Sequence, residues 1–333
     1  MLNIHNGDST AGTARNAPIP GAHLAFREAL VAGPTPANLE KGEWRKLRAA
    51  HLSSAYGGSW EEAQRDLERL EAALASSHLH DEVVLWFEHD LFCQINLLYL
   101  LDWFAARDVG KTKLSLIFIG EFPGRPDFRG LGELEPMELA SLFDSRHEIT
   151  EAEMQLATAA WKAYCSPDPT ALEEFLKRDT AAMPFLKPAL LSHLARFPSV
   201  RNGLGRVEEC SLTIVNEGHK RFGDLFRCFI DKAGVYGFGD SQVYLSLQQL
   251  SNVRAPLLRN GGSSLGKGAL DHERVKGAAY EITDRGRAVL KGDADFVKLN
   301  GIDIWLGGVH LTNDHLWRWD DDANKLVRNG SLT

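Results

Sequence analysis

Val83-Val84-Leu85-Trp86-Phe87-Glu88-His89-Asp90-Leu91 is the stretch on which the fold turns. Five apolar residues in a row, four of them β-branched or aromatic, form the unbroken pattern of a strand buried on both faces, as in a parallel sheet. Glu88-His89-Asp90 ends that strand. Leu91, Ile95, Leu97, Leu98, Leu101 and Phe104 then carry the wide apolar face of a long helix. The same alternation extends to both sides. Leu2 to His5 is a short strand that breaks at Asn6-Gly7-Asp8-Ser9-Thr10, with a small-residue helix from about Thr10 to Asn16. His23 to Phe26 reads as a second strand, and residues 60–77 as an amphipathic helix with acids in its first turn. Leu114 to Ile119 is a further buried strand, ending at Gly120-Glu121. This order predicts a doubly wound α/β domain with a mostly parallel, Rossmann-like sheet over residues 1–150.

Residues 151–215 read as a helical segment packed on that domain, opened by a capping box at Thr150 and Glu153. Residues 216–333 read as a separate unit. Arg221 to Ala233 and Asp240 to Ser251 are helices, and a loop rich in Gly and Ser follows. Two β-like pieces, Ala278 to Ile282 and Ala288 to Leu290, come after it. Helices followed by a small hairpin predict a winged-helix-like α+β module.

The charge is divided unevenly. Residues 1–150 hold 14 Lys and Arg against 22 Asp and Glu, which argues against a nucleic-acid backbone lying across that domain. Residues 201–333 hold 18 against 17, so a nucleic-acid partner remains open there. It would need a one-sided basic face from Arg254, Arg259, Lys267, Arg274, Lys276, Arg285 and Arg287. No apolar run is long enough to span a bilayer, so no membrane partner is expected. Met1 to Asn6 has neither a basic lead nor an apolar core, so no signal peptide is expected. Cys93, Cys165, Cys210 and Cys228 form no CxxC pair and fit reduced thiols. A cytoplasmic protein is the expectation.

In an open parallel sheet, ligands bind outside the carboxyl ends of the strands, where strand order reverses. The ends Asn6-Gly7-Asp8-Ser9, Glu88-His89-Asp90 and Gly120-Glu121 would therefore line one edge. Asp8, Glu88 and His89 are the candidate catalytic residues. Asp8 and Glu88 have the chemistry of a general base or of a divalent cation site such as Mg²⁺, and His89 that of an acid or orienter. Asn6, Gly7, Ser9, Arg27, Asp90, Glu121 and Arg201 are the candidate contacts of a small phosphorylated or nucleotide-like anion. The amides after Gly7, at a helix N-terminus, would hold it. Neither GxGxxG nor GxxxxGK[ST] is present, so the dinucleotide and P-loop fingerprints are excluded. Structural roles compete for the same residues, with Asp90 a helix N-cap, Gly7 a plain turn and His89 a core histidine. A hydrolase or transferase and a non-enzymatic ligand-sensing regulator both fit this pattern.

Asn6-Gly7-Asp8-Ser9, Arg27-Glu28-Ala29-Leu30, Gly33-Pro34 and Leu85-Trp86-Phe87-Glu88-His89-Asp90-Leu91-Phe92 resemble the bacterial domain of unknown function numbered 1835. Phe122-Pro123-Gly124, Gly130-Leu131-Gly132 and Phe197-Pro198-Ser199 continue the likeness over roughly residues 1–206. Members of that family carry Asp-Gln soon after the Trp-Phe-Glu-His-Asp run. This chain has Cys93-Gln94, so no acidic role carries over to position 93. The resemblance implies a site and no reaction. Gly7-Asp8-Ser9 also resembles the GDS block of SGNH-type esterases, which would make Ser9 a nucleophile with Asp144 and His147 as partners. That family's Gly and Asn blocks are not recognisable here.

Overall fold

Residues 1–261, 275 and 277–328 are described by a computed structural model. Four parallel strands form its centre: β1 (Leu2–Asn6), β2 (Ala22–Phe26), β3 (Glu82–Glu88) and β4 (Lys113–Ile119). A two-residue strand, β5 (His147–Glu148), adds to β4 in the opposite direction. The spatial order is β2-β1-β3-β4-β5, so the order reverses between β1 and β3. Helix α1 (Asp8–Arg15) leads from β1 to β2. Helices α2 (Lys41–Tyr56) and α3 (Trp60–Ala75) lead from β2 to β3, and α4 (Leu91–Ala105) from β3 to β4.

Alternation along β3 divides the core. Val83, Leu85 and Phe87 pack into the larger cluster with Leu91, Ile95, Leu98 and Leu101 of α4. Val84 and Trp86 face the other way, with Ala14 of α1 and with Leu139 of α5 (Pro136–Ser141). Both faces are thus covered, which is why β3 reads as a continuous apolar run. Helix α4 has no polar face because α6 (Glu151–Tyr164) and α8 (Leu186–Leu194) pack on its outer side; α7 (Thr170–Phe175) joins those two.

Glu28, at the end of β2, turns inward. It accepts from Arg48 of α2 at 2.7 and 3.2 Å. Arg48 also donates to the carbonyls of Ala29, Ala32 and Pro34 at 3.0, 2.8 and 3.1 Å. A buried pair with this many partners fixes a loop conformation, here residues 28–34 beneath α2. Neighbours in sequence, Arg27 and Glu28 part company, Glu28 turning to the interior and Arg27 to Asp8.

The last third contains α9 (Arg206–Asn216), α10 (Phe222–Ala233) and α11 (Asp240–Ser251), then the antiparallel pair β6 (Leu258–Asn260) and β7 (Tyr280–Ile282). Ala288 to Leu290, expected as β-like, lies inside α12 (Asp284–Lys291). Thr283 caps that helix from Gly286 N at 3.0 Å, and Gly292 ends it in the left-handed region at φ 86°. Two good caps outweigh a three-residue β-prone run.

After α13 (Phe296–Asn300) the chain does not continue a winged-helix-like module. It forms two hairpins, β8 (Asp303–Leu306) with β9 (Val309–Thr312) and β10 (Trp317–Asp320) with β11 (Lys325–Arg328). These fold back on the helical segment. Trp319 N donates to Pro198 O at 2.9 Å, Val200 N to Trp319 O at 3.0 Å, and Thr35 N to Gly307 O at 3.0 Å. No helix among the described residues is long and apolar enough to cross a membrane. Lys267, Arg274 and Lys276, proposed above as basic-face residues, lie outside the described residues.

Candidate functional site at the carboxyl edge of the sheet

The carboxyl ends of β1 and β3 meet at the reversal of strand order. At β3, Asp90 is the N-cap of α4, accepting from Cys93 N at 2.8 Å. The helix therefore starts at once, and the turn brings Glu88, Asp90 and Cys93 together, with one donor atom of each within 4.8 Å of the others. Glu88 Oε1 accepts from Cys93 Sγ at 3.4 Å, and Glu88 Oε2 accepts from Leu131 N. Gly130 makes this approach possible, since a Cβ there would lie 2.7 Å from Glu88 Oε2. Enclosure and the neighbouring Asp90 carboxylate raise Glu88 far above the usual carboxylate range. Burial raises Asp90 as well, partly offset by the amides of Cys93 and Phe92. It also pushes the Cys93 thiol well up, so that thiol is not a nucleophile at neutral pH.

At β1, Gly7 sits at φ 95° and ψ 178° as the N-cap of α1, with no side chain capping the helix. Asp8 and Arg27 stand on either side of this turn, 60% and 63% exposed, with Arg27 donating twice to Asp8 Oδ1 and once to Oδ2 at 2.8–3.0 Å. Ser9 Oγ donates to Gly132 O at 3.1 Å and so holds the loop that covers Glu88.

Of the candidate residues, Gly7, Asp8, Ser9 and Arg27 gather where β1 and β2 end, and Glu88 and Asp90 where the adjacent β3 ends. Asp8 and Glu88 do not share partners: Asp8 pairs with Arg27, whereas Glu88 is enclosed by Leu131 and Cys93. They do not form a joint cation site as placed. The set that does gather, two carboxylates and a thiol, suits a borderline ion such as Zn²⁺ better than Mg²⁺, which takes oxygen ligands.

His89 turns away from both acids, its ring edge-on to Phe185 with centroids 6.1 Å apart, and burial lowers its basicity. Asn6 points inward, donating to Cys93 Sγ at 2.8 Å and accepting from Asn96 at 2.7 Å, which ties β1 to α4. Glu121 lies exposed just beyond β4. Arg201 is engaged in the last third of the chain, with Glu209 and with Leu290 O at 2.8 Å, where it docks α9 against α12.

The Ser9, Asp144, His147 set is not assembled. Ser9 is at the carboxyl edge of β1, whereas His147 pairs with Leu116 in the middle of β4, beyond β3. His147 Nε2 bonds Glu153 at 2.8 Å, and Asp144 is fully exposed.

Several site residues gave no motif in the sequence. Asn96 donates to Glu28 O at 2.8 Å and links the edge to the Arg48 pair. Gly237, at φ 63° between α10 and α11, packs against Asp90 so closely that a Cβ would overlap the carboxylate. A cleft of about 840 Å³ opens beside β2; it is lined by Arg27 and not by Glu88, His89 or Asp90. Its legible sign was the Tyr56-Gly57-Gly58-Ser59 break between two helices. No protein-family model matches this chain, and no curated protein matches it.

Proposed function

We propose that this protein binds a small phosphorylated, nucleotide-like ligand at the carboxyl edge of its parallel sheet, and that the site supports hydrolase- or transferase-type chemistry. One observation carries the reading: an α1 N-terminus with no side-chain cap, preceded by a positive-φ glycine, at the point of strand-order reversal. Such a terminus offers free amides and the positive end of a helix dipole to an anion. Arg27 adds a guanidinium, the side chain best shaped for phosphate. Asp8 is the exposed carboxylate that can share a Mg²⁺ ion with ligand phosphates, the usual way that ion is held. Glu88, raised toward neutrality, is the group suited to move a proton once the 130–132 loop opens. The resemblance to the bacterial domain numbered 1835 belongs to this proposal, since its motifs are these strand ends.

Isothermal titration of pyrophosphate, with and without Mg²⁺, tests the anion site. Binding that weakens at least tenfold in Arg27→Ala is expected. No heat from wild type at millimolar ligand ends the reading.

A second reading concerns residues 206–282. Helices α9 to α11, the β6/β7 pair and the isolated bridge between Arg221 and Ala279 follow the order of a winged-helix-like unit. As a regulator, that unit would contact protein rather than nucleic acid. Helix α11, the one such a module would place in a groove, carries Asp240 and no Lys or Arg. Arg287 is paired with Asp284, and Arg254 donates to Leu299 O. A gel shift persisting at moderate salt, with a steep salt dependence, would reverse the protein-partner reading.

A further inference from the structure

We infer that the 840 Å³ cleft between β2, the α2–α3 turn and the start of α11 is the pocket for the flat ring system of a nucleoside monophosphate. This inference rests on the anion site proposed above and supplies the rest of the ligand. The cleft volume lies inside the ~300–1,000 Å³ range of small-molecule sites. Its surface is of two kinds. Leu24, Ala25 and Ala29 line it from β2 and the loop after it, Phe92 from α4, and Leu52, Leu67 and Leu70 from α2 and α3. An apolar surface of this extent, with an aromatic side chain among it, favours a planar apolar body over a compact polar one.

Polar and charged groups make up the rest of the lining, and those at its two ends bear on orientation. Tyr56, Ser241 and Gln242 stand toward the C-terminal unit, with Gln242 Nε2 donating to Tyr56 OH at 3.3 Å. These hydroxyl and amide groups can pair with the edge of a base. Arg27 stands toward the sheet edge, and its ion pair with Asp8, the first residue of α1, joins the cleft to the turn at Gly7.

The rim is charged. Arg27, Arg65 and Arg69 line it against Glu62 and Asp66. Glu62 is held by the Ser59 cap at 3.0 and 3.1 Å, and Asp66 by Arg69 at 3.1 Å. Arg69 is in turn engaged with Asp66 and Arg27 with Asp8, so the rim is a network of paired charges to which Arg65 adds a further guanidinium. Gly57 and Gly58, at φ 86° and 83°, close the α2–α3 turn without side chains and leave that rim open.

Titration calorimetry of the full chain with AMP, UMP, adenosine and ribose 5-phosphate tests the inference. The expected result is AMP or UMP binding at least tenfold more tightly than ribose 5-phosphate. Leu67→Trp, which fills the cleft from α3, is expected to remove that advantage and leave ribose 5-phosphate unchanged. Ser241→Tyr fills it from the opposite wall and covers the case in which Leu67→Trp fails to fold. Nucleotides that bind no better than ribose 5-phosphate, or that bind both folded variants as they bind wild type, overturn the inference and leave the anion site standing. Adenosine binding that Leu67→Trp blocks, with AMP no tighter than adenosine and indifferent to Arg27→Ala, keeps the ring pocket and overturns the anion site. No binding of any of the four overturns both.

Discussion

Replacing Glu88 by Gln should stabilise the unliganded protein at neutral pH, an unusual expectation for a partly buried residue with two hydrogen bonds. Burial and the adjacent Asp90 carboxylate push Glu88 up to about 8. A group whose value rises on folding contributes fully below its unfolded value, near 4.5, and that contribution is lost as pH climbs through the folded value. At pH 7 the folded chain thus either holds a proton that the unfolded chain has released, or carries an enclosed charge. At ~1.4 kcal/mol per pH unit, the interval from 4.5 to 7 sets a ceiling of about 3–4 kcal/mol. Residual hydration of a partly exposed residue reduces this to ~1–2 kcal/mol. Gln satisfies the same geometry, since its carbonyl can accept from Leu131 N while its amide donates to Cys93 Sγ. At ~2–4 °C per kcal/mol for a chain of this order, the gain is ~2–8 °C in Tm. The assay is thermal unfolding of wild type and Glu88→Gln from pH 4.5 to 8.5. The two curves should coincide at the acid end and separate as pH rises. A difference that is constant with pH, or a variant less stable than wild type at pH 7.5, refutes the argument. A stabilising loss of a carboxylate is also how a functional group held at a stability penalty behaves.

Gly237→Ala should destabilise by ~2 kcal/mol or more, since it combines a left-handed backbone with overlap onto Asp90; an unchanged melting curve would show that the contact is not maintained in solution. Asp90→Ala should cost ~1–2 kcal/mol through the lost α4 cap, with Asp90→Ser recovering most of it because Ser can also accept from Cys93 N. Urea melts of the two variants that coincide would show that the cap is not the reason Asp90 matters. His5 is depressed to about 3 by burial, chiefly, and by His23 and Arg15. The stability it contributes is therefore complete above 6.5 and lost as pH falls toward 3, and NMR titration should find its ring neutral at pH 5. A His5 midpoint near 6.5 would contradict the burial.

The central sheet was legible because its signals are local and redundant. The run Val83 to Phe87 sits between a helix pattern and an acid that caps the next helix, so strand type, end point and direction of the chain all follow from adjacent residues. That these strand ends share one edge was legible for the same reason, since a parallel sheet brings all of them to one side. Its inner geometry was not. That Glu88 pairs with Cys93 and Leu131 while Asp8 pairs with Arg27 depends on where the loop at 130–132 and the side chain of Asn96 lie, and no spacing in the sequence encodes either. At the C-terminus the strands are four residues long, and each pair packs on distant elements through contacts such as Trp319 with Pro198 and Leu326 with Glu173. Such short strands carry too few residues for a period-2 pattern to be distinct, and tertiary contacts decide them.

Asp90 joins these observations. One carboxylate caps α4, raises Glu88 by its charge, and lies directly beneath Gly237 of the turn into α11. The same turn also leads to Gln242 on Tyr56 and Ser241 on the cleft wall. Residues 234–242 are therefore seated on the strand-end site at two points, one at Asp90 and one across the cleft. That accords with an α11 that carries no charge after Asp240. The N-terminal face that a nucleic-acid-binding helix would offer to a groove is here turned to the α/β domain, where a row of cations would face Arg27, Arg65 and Arg69. The C-terminal unit meets the strand-end site directly, because no side-chain layer separates Gly237 from the cap of the helix that begins at Leu91.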